Sequence, residues 1–323
     1  MRIPAILATL LLSCAAALAV EDWAQPWRPQ ARVLVDPPAW YSPALFALKD
    51  KPQPGEWMAA HPEKPLSFQE YVASAPVRPI KSRHTIVVSA LGNMPAKDLE
   101  RLPVLREFLE LFFTLPTRIG PPLPLDGVTT RDRSPRRQYL STNILSKVLE
   151  PRVSQDVLCL LGVTMEDLYP EPSWNYVFGQ ASLGTRVGVY SLVRFYPVFW
   201  NQPESEDAER RGLRRGFQTL VHETGHMFGV PHCQKYECAM NGSNSLQESD
   251  TQPLHLCPDC LRMFRWNTGF DIIPRYEGLK KFFEAHDMKD EAQWLGKRIR
   301  ECRGEKAPPA PASPSESGPA KQP

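Results

Sequence analysis

The sequence predicts an α/β fold, α+β in its details. It should form a twisted, mostly parallel sheet with an antiparallel edge strand, helices packed on it, and a smaller helical subdomain at the C-terminal end. Three observations carry this reading. Short apolar runs rich in β-branched residues alternate with segments whose apolar residues recur at helical spacing. A long amphipathic segment beginning near Ser205 carries two histidines four positions apart. Two cysteine pairs frame the chain just beyond it, the pattern of a small metal-stapled unit.

The chain has 323 residues, enough for one large domain or two smaller ones. Lys+Arg 38 against Asp+Glu 36 is close to balance, so no acidic partner is implied and nucleic acid is disfavoured. The 34 prolines cluster towards both ends, where regular structure should stop. Arg2, the apolar stretch 3–17 and the small-x-small triplet Ala17-Leu18-Ala19 read as a secretory signal peptide over residues 1–19. Its apolar core is too short to span a membrane. Cys14 offers a second reading, lipid anchoring as a lipoprotein. On either reading the chain is expected to be exported, secreted or periplasmic.

Residues 20–82 form an extension rich in Pro and Trp, including Trp23, Trp27, Trp40 and Trp57, without a long periodic run. Extended segments wrapping the body are expected, with one short helix at 68–73. No cysteine occurs from 15 to 158, which excludes a thiol-based inhibitory switch there and leaves a carboxylate switch open. The main domain is expected over 83–302. Residues 84–91, centred on Thr85-Ile86-Val87-Val88, and 157–163 are solidly apolar and read as buried strands. Leu102, Leu105, Leu109 and Phe112 place a helix over 96–115, and a second helix is expected at 139–149. Candidate strands 175–181 and 186–195, joined by a loop with Gly184, make the antiparallel edge. Ser205 reads as a helix N-cap followed by Glu206 and Asp207 at the positive end of the dipole. Leu213, Phe217, Leu220, Thr224 and Phe228 give that helix its buried face. Residues 261–266 and 275–299 read as terminal helices. The tail 303–323 is Pro, Ala and Ser rich and is expected to be disordered.

The long helix carries His222-Glu223-Thr224-Gly225-His226-Met227-Phe228-Gly229-Val230-Pro231-His232, which reads HExxHxxGxxH. Histidines four apart on a helix share a face, so His222 and His226 can reach one ion. Gly229 lets the backbone leave the helix through a left-handed turn and bring His232 round to the same ion. Three imidazoles and one open position describe a catalytic zinc site, because structural sites fill all four positions with protein. Glu223, next to the first ligand, is placed to take a proton from zinc-bound water and return it to a leaving amine.

Cys233 and Cys238 follow at once, and Cys257-Pro258-Asp259-Cys260 closes the segment. Four thiolates at C-x4-C and C-x2-C spacing suit one tetrahedral structural zinc; two disulfides are the rival reading in an oxidising compartment. Cys159 reads as a buried thiol, and Cys302 is left over near the tail. Because four cysteines complete that site, His255 reads as a satisfied or surface histidine.

Taken together, HExxHxxGxxHC-x4-C-x-M and the later Cys257-x-x-Cys260 resemble the archaemetzincins, a metzincin group, and its animal-type branch in particular. The match extends to 241–250 and 256–262, and upstream to Leu161-Gly162-Val163-Thr164, Asp167-Leu168-Tyr169 and 177–181. The resemblance implies a metzincin-like fold and a zinc-dependent metallopeptidase, with aminopeptidase-type action on small peptides for some members; whether this chain trims amino termini or cuts internally stays open. It implies that His222, His226 and His232 hold a catalytic zinc and that Glu223 is the general base. Cys233, Cys238, Cys257 and Cys260 would hold a structural zinc, giving Zn2+ twice per chain. It also places Met240 in a tight turn beneath the zinc ligands, with Asn241-Gly242 supplying turn chemistry. In metzincins an antiparallel edge strand lines the cleft and pairs with the substrate backbone. The partner is then a peptide or protein substrate. The rival functional reading is a non-catalytic, zinc-stabilised module that binds peptides or proteins, although a pure binder has no need of Glu223.

Overall fold

A computed structural model describes residues 36–133, 136–182 and 184–305. The expected signal peptide, Cys14 and residues 306–323 of the expected disordered tail lie outside the described residues.

The core is a five-stranded sheet in the order β2 (Thr117–Ile119), β1 (Thr85–Ala90), β5 (Val157–Thr164), β8 (Val187–Ser191), β7 (Gly179–Ser182). Every pair is parallel except β7 with β8, so the expected antiparallel edge is present. Strands β5 and β8 are buried along their whole length, which is why their sequences are apolar without alternation. A smaller sheet of β3 (Thr130–Arg133), β4 (Arg136–Leu140) and β6 (Asp167–Tyr169) lies beside it.

The helices are α1 (Trp57–Ala60), α2 (Phe68–Ala73), α3 (Ala96–Leu99), α4 (Arg101–Phe113), α5 (Ser141–Asn143), α6 (Glu206–Met227), α7 (Leu246–Thr251), α8 (Pro258–Thr268), α9 (Ile272–Ala285) and α10 (Lys289–Arg303). Phe108 of α4 stacks on Phe217 of α6 at 4.3 Å between ring centroids and on Phe282 of α9 at 5.6 Å. Each such fully buried ring contributes about 1.5–3 kcal/mol relative to exposure. This aromatic layer fixes the back of α6 against its neighbours and so determines where its front face points.

Several expected elements differ. The strand expected over 175–181 starts only at Gly179, and the one expected over 186–195 ends at Ser191 and gives way to a 3-10 turn over Val193–Phe195. Arg303 of the expected tail ends α10. The helix expected over 96–115 is broken at Glu100 into α3 and α4. Pro103 explains the break, since its ring would collide with the carbonyl of Leu99 in a continuous helix. The helix expected over 139–149 begins only at Ser141 and continues as a π-helical turn over Ile144–Leu149. Tyr139 and Leu140 belong to β4, paired with Leu168 and Tyr169. The helix expected over 275–299 is two, α9 and α10, separated by a turn in which Asp287 has φ 53°.

The extension is built into the same core. Phe46 and Tyr71 are buried in it. Tyr71 Oη donates to the Phe228 carbonyl at 2.9 Å and accepts from Asn267 Nδ2 at 2.8 Å. Asp36 forms a bidentate pair with the buried guanidinium of Arg265, 2.7 Å on each side. The short helix expected at 68–73 is α2, with Ser67 and Glu70 forming a capping box.

Candidate active site and metal centres

Helix α6 starts where expected: Ser205 Oγ accepts from Ala208 N at 3.2 Å. Its last turn presents His222 and His226 on one face. The chain then turns at Gly229, whose φ of 77° is left-handed backbone that other residues adopt only with strain. A Cβ there would also stand 2.9 Å from Pro76 Cβ. The turn brings His232 back beside α6. The Nε2 atoms of His222, His226 and His232 lie 3.0, 3.3 and 3.2 Å from one another.

The opposite ring nitrogens explain this convergence. His226 Nδ1 faces the Val230 carbonyl at 2.8 Å, and His222 Nδ1 faces that of Ala239 at 3.4 Å. His232 Nδ1 faces Glu63 Oε1 at 2.5 Å. Each acceptor assigns the proton to Nδ1 and leaves the Nε2 lone pair turned inward. Burial, then the neighbouring imidazoles, lower the pKa of His222 well below its ordinary value; burial and His232 bring His226 to about 4. Both rings are therefore neutral at neutral pH, the state a metal needs. Nitrogens bound to a tetrahedral zinc at about 2.0–2.1 Å stand roughly 3.3–3.4 Å apart, so the donor set fits that ion.

Glu223 is buried beside this cluster, and burial alone raises its pKa to about 8. A dication held by the three imidazoles would oppose that shift and favour the ionised form that can accept a proton. Strand β7 runs against it at Gly179, one edge of a cleft of about 780 Å³ lined by Trp57, Trp174, Tyr176, Gly179, Glu223 and His232. Met240 lies beneath α6, fully buried, and a Cβ on Gly225 would stand 2.5 Å from its Sδ.

Cys233, Cys238, Cys257 and Cys260 are buried free thiols whose Sγ atoms all lie within 4.8 Å of one another. Cys233 and Cys257 are 3.6 Å apart at sulfur, close to the roughly 3.8 Å that two thiolates bound at about 2.3 Å to one tetrahedral zinc would show. Backbone N–H groups point at the sulfurs: Met240 N and Cys257 N at Cys238 Sγ (3.5 and 3.3 Å), and Cys260 N at Cys257 Sγ (3.4 Å). Cys257 also caps the N-terminus of α8, its sulfur accepting from Cys260 N. The four thiols share their hydrogen bonds: those from its neighbours lower the pKa of Cys233, burial and the same contacts raise that of Cys238, and the contacts and burial raise that of Cys260.

His255 is buried rather than at the surface. It stacks on Trp294 at 3.7 Å, and burial lowers its pKa to about 3. Cys159 and Cys302 are separate buried thiols, and burial pushes Cys159 up to about 12.

The structure thus brings together every residue singled out for chemistry in the sequence. It adds four. Glu63 and Trp57 come from a segment without periodicity and had no sequence signal. Gly179 did have one, because a glycine inside a strand marks close approach of another group. Asn241 is more than a turn residue: its Nδ2 donates to the carbonyls of Cys233 (2.7 Å) and Tyr236 (3.0 Å), and its Oδ1 accepts from Cys238 N (2.8 Å).

Residues 126–265 match the model of peptidase family M54. The chain is 33% identical over 266 residues to Archaemetzincin-2 of Macaca fascicularis, covering 72% of each chain. It is 32% identical over 188 residues to the Archaemetzincin of Pyrococcus furiosus, covering 58% of this chain and 95% of that one. The crystal structure of an archaemetzincin from Archaeoglobus fulgidus aligns with 30% identity and a TM-score of 0.43, over 55% of this chain and 99% of that one.

Proposed function

This chain belongs to the archaemetzincins, peptidase family M54, and from that premise we propose how its residues act. The protein is a zinc metallopeptidase, and its substrates are peptides or proteins. The reading as a non-catalytic binding module is set aside.

We assign the catalytic zinc to His222, His226 and His232, and the general base to Glu223. The observation that carries this is the convergence of three inward Nε2 lone pairs beside a buried carboxylate. A zinc ion held by these three imidazoles would supply Lewis-acid chemistry and a bound water of near-neutral pKa. Glu223 accepts the proton of the attacking water and passes it to the departing nitrogen. A substrate lying extended in the cleft adds to the outer edge of β7, which has no strand partner on that side among the described residues. Cys233, Cys238, Cys257 and Cys260 hold a second, structural zinc, making two ions per chain; their chemistry and mutual spacing support this.

The action proposed is aminopeptidase-like, on short peptides. Glu171, an exposed carboxylate on the cleft lining, is the group available to a substrate's ammonium. Export by the signal-peptide pattern of residues 1–19 is likewise proposed, with Val20 as the mature terminus and lipid attachment at Cys14 as the rival. Among the described residues no helix is long and apolar enough to cross a membrane.

The test is digestion of a diverse peptide library by the zinc-loaded protein, read by mass spectrometry, with Glu223→Gln as control. Ladders shortened from the amino end and absent with the control support the proposal. Internal cuts would replace the aminopeptidase reading with an endopeptidase one. Equal cleavage by the control would remove Glu223 from its role.

A further inference from the structure

We propose that Glu63 is a positioning residue of the catalytic centre, holding His232 as a zinc ligand from the far side of its ring. The proposal rests on the assignment of His222, His226 and His232 as the catalytic ligands.

The three imidazoles are not held alike. His222 and His226 direct Nδ1 at backbone carbonyls supplied by their own neighbourhood, Ala239 and Val230. His232 lies beyond the end of α6, on a loop, and the acceptor at its Nδ1 is the carboxylate of Glu63, 169 positions earlier in the chain. A carboxylate there does two things that a carbonyl does less well. It fixes the proton on Nδ1, so that Nε2 carries the lone pair, and it makes the imidazole a stronger electron donor.

Glu63 is itself held. Its Oε1 also accepts from Trp57 Nε1 at 3.2 Å. The backbone N of Trp57 donates to Glu248 Oε1 and Oε2, at 3.0 and 3.2 Å. Glu248 Oε2 accepts from Asn244 N at 2.7 Å, and Asn244 Nδ2 donates to the Gly55 carbonyl at 3.2 Å. The Trp57 indole fills the space above Gly242, where a Cβ would stand 2.2 Å from its Cδ1. Glu63 therefore reaches His232 from a strap tied to the loop that also carries Met240.

The geometry also bears on the carboxylate switch left open by the sequence. A carboxylate that blocked the enzyme would occupy the ion's open position, on the Nε2 side. Glu63 is on the Nδ1 side and leaves that position free. Glu63 lies outside the region 126–265 that the family model matches.

The test measures zinc affinity by chelator competition on the full protein, together with the ligand-field spectrum after Co2+ replaces the catalytic zinc. Glu63→Ala should weaken catalytic zinc binding by roughly 10–100-fold and shift the Co2+ spectrum, while the metal at the four cysteines stays in place. Glu63→Asp should recover part of the affinity. Glu63→Gln keeps an oxygen for the Trp57 indole and guards against misfolding; it should still bind zinc more weakly than the native protein. The proposal is overturned if Glu63→Ala and Glu63→Gln both keep native affinity and spectrum. It is equally overturned if Glu63→Ala loses both metals in parallel while Glu63→Gln behaves as native. His232→Ala separates this from the underlying assignment. If that variant keeps native catalytic zinc, the ligand set is wrong. If it loses zinc while the Glu63 variants do not, only the role of Glu63 fails.

Discussion

Glu223 and Gly179 occupy adjoining space with nothing to spare: a Cβ built on Gly179 would stand 2.8 Å from Glu223 Cγ and 3.0 Å from its Oε1. The edge strand of the sheet and the carboxylate on α6 can be this close only because residue 179 has no side chain. Gly179→Ala should therefore displace the carboxylate by some tenths of an ångström or more. Misplacement of a reacting group on that scale costs roughly 10–100-fold in rate. The expected outcome is a fall of that size in kcat, with zinc content unchanged by metal analysis. Native kcat in Gly179→Ala would show that the carboxylate has room to spare.

Glu223→Gln asks a different question, because it keeps shape and removes the base. Loss of general-base catalysis costs at least ~100-fold in turnover. The amide neither ligates the ion nor disturbs the imidazoles, so zinc content should match the native protein. Steady-state kinetics with metal analysis on the same sample would check both halves. A variant that lost zinc would mean that Glu223 supports the ligands as well as the chemistry.

Much of this site was legible in the chain because its parts are local. His222, Glu223, His226, Gly229 and His232 fall within one helix and one turn, and the helical period alone brings the first two histidines to one face. The buried strands were legible for a similar reason: β1 and β5 are covered on both faces and carry solid apolar runs. What was missed is short, polar or distant. Strand β3 reads Thr-Arg-Asp-Arg and has no apolar face to announce it. Residues 175–178 do not extend β7 as the sequence predicts: Val177 bridges to Leu168 of the small sheet, while Arg131 and Gln138 donate to the Asn175 carbonyl. The turn between α9 and α10 has neither Gly nor Pro; a left-handed Asp287 makes it, and helical spacing runs through it unbroken. Glu63 was invisible because tertiary folding alone brings it to His232.

The packing of Met240 under α6 gives a prediction about stability rather than ligation. Its thioether is fully buried against Gly225, below the helix that carries His222 and His226. Met240→Ala would leave a cavity there, at a cost of about 2–5 kcal/mol. Denaturant unfolding of the zinc-loaded protein should show a loss in that range. A change under about 0.5 kcal/mol would mean that the turn is free to collapse onto the helix, and that the methionine is not a fixed support.

The four-cysteine cluster separates two readings by counting. If one zinc is held there, all six described cysteines are thiols, and the cluster gives up its metal only when chelated or unfolded. In the native protein a thiol reagent should then react slowly, because Cys159, Cys233, Cys238, Cys257, Cys260 and Cys302 are all buried. After denaturation in chelator without reductant, all six should titrate, and one zinc beyond the catalytic ion should be released with them. Of these six, two disulfides would leave only Cys159 and Cys302 reactive and release no second metal. The geometry favours the first outcome on physical grounds. The four sulfurs converge on one centre within 4.8 Å, with backbone N–H groups aimed at two of them. Disulfides would instead need two separate pairs, each at bonding distance. Two reactive thiols would overturn the structural zinc and leave the three-histidine site untouched.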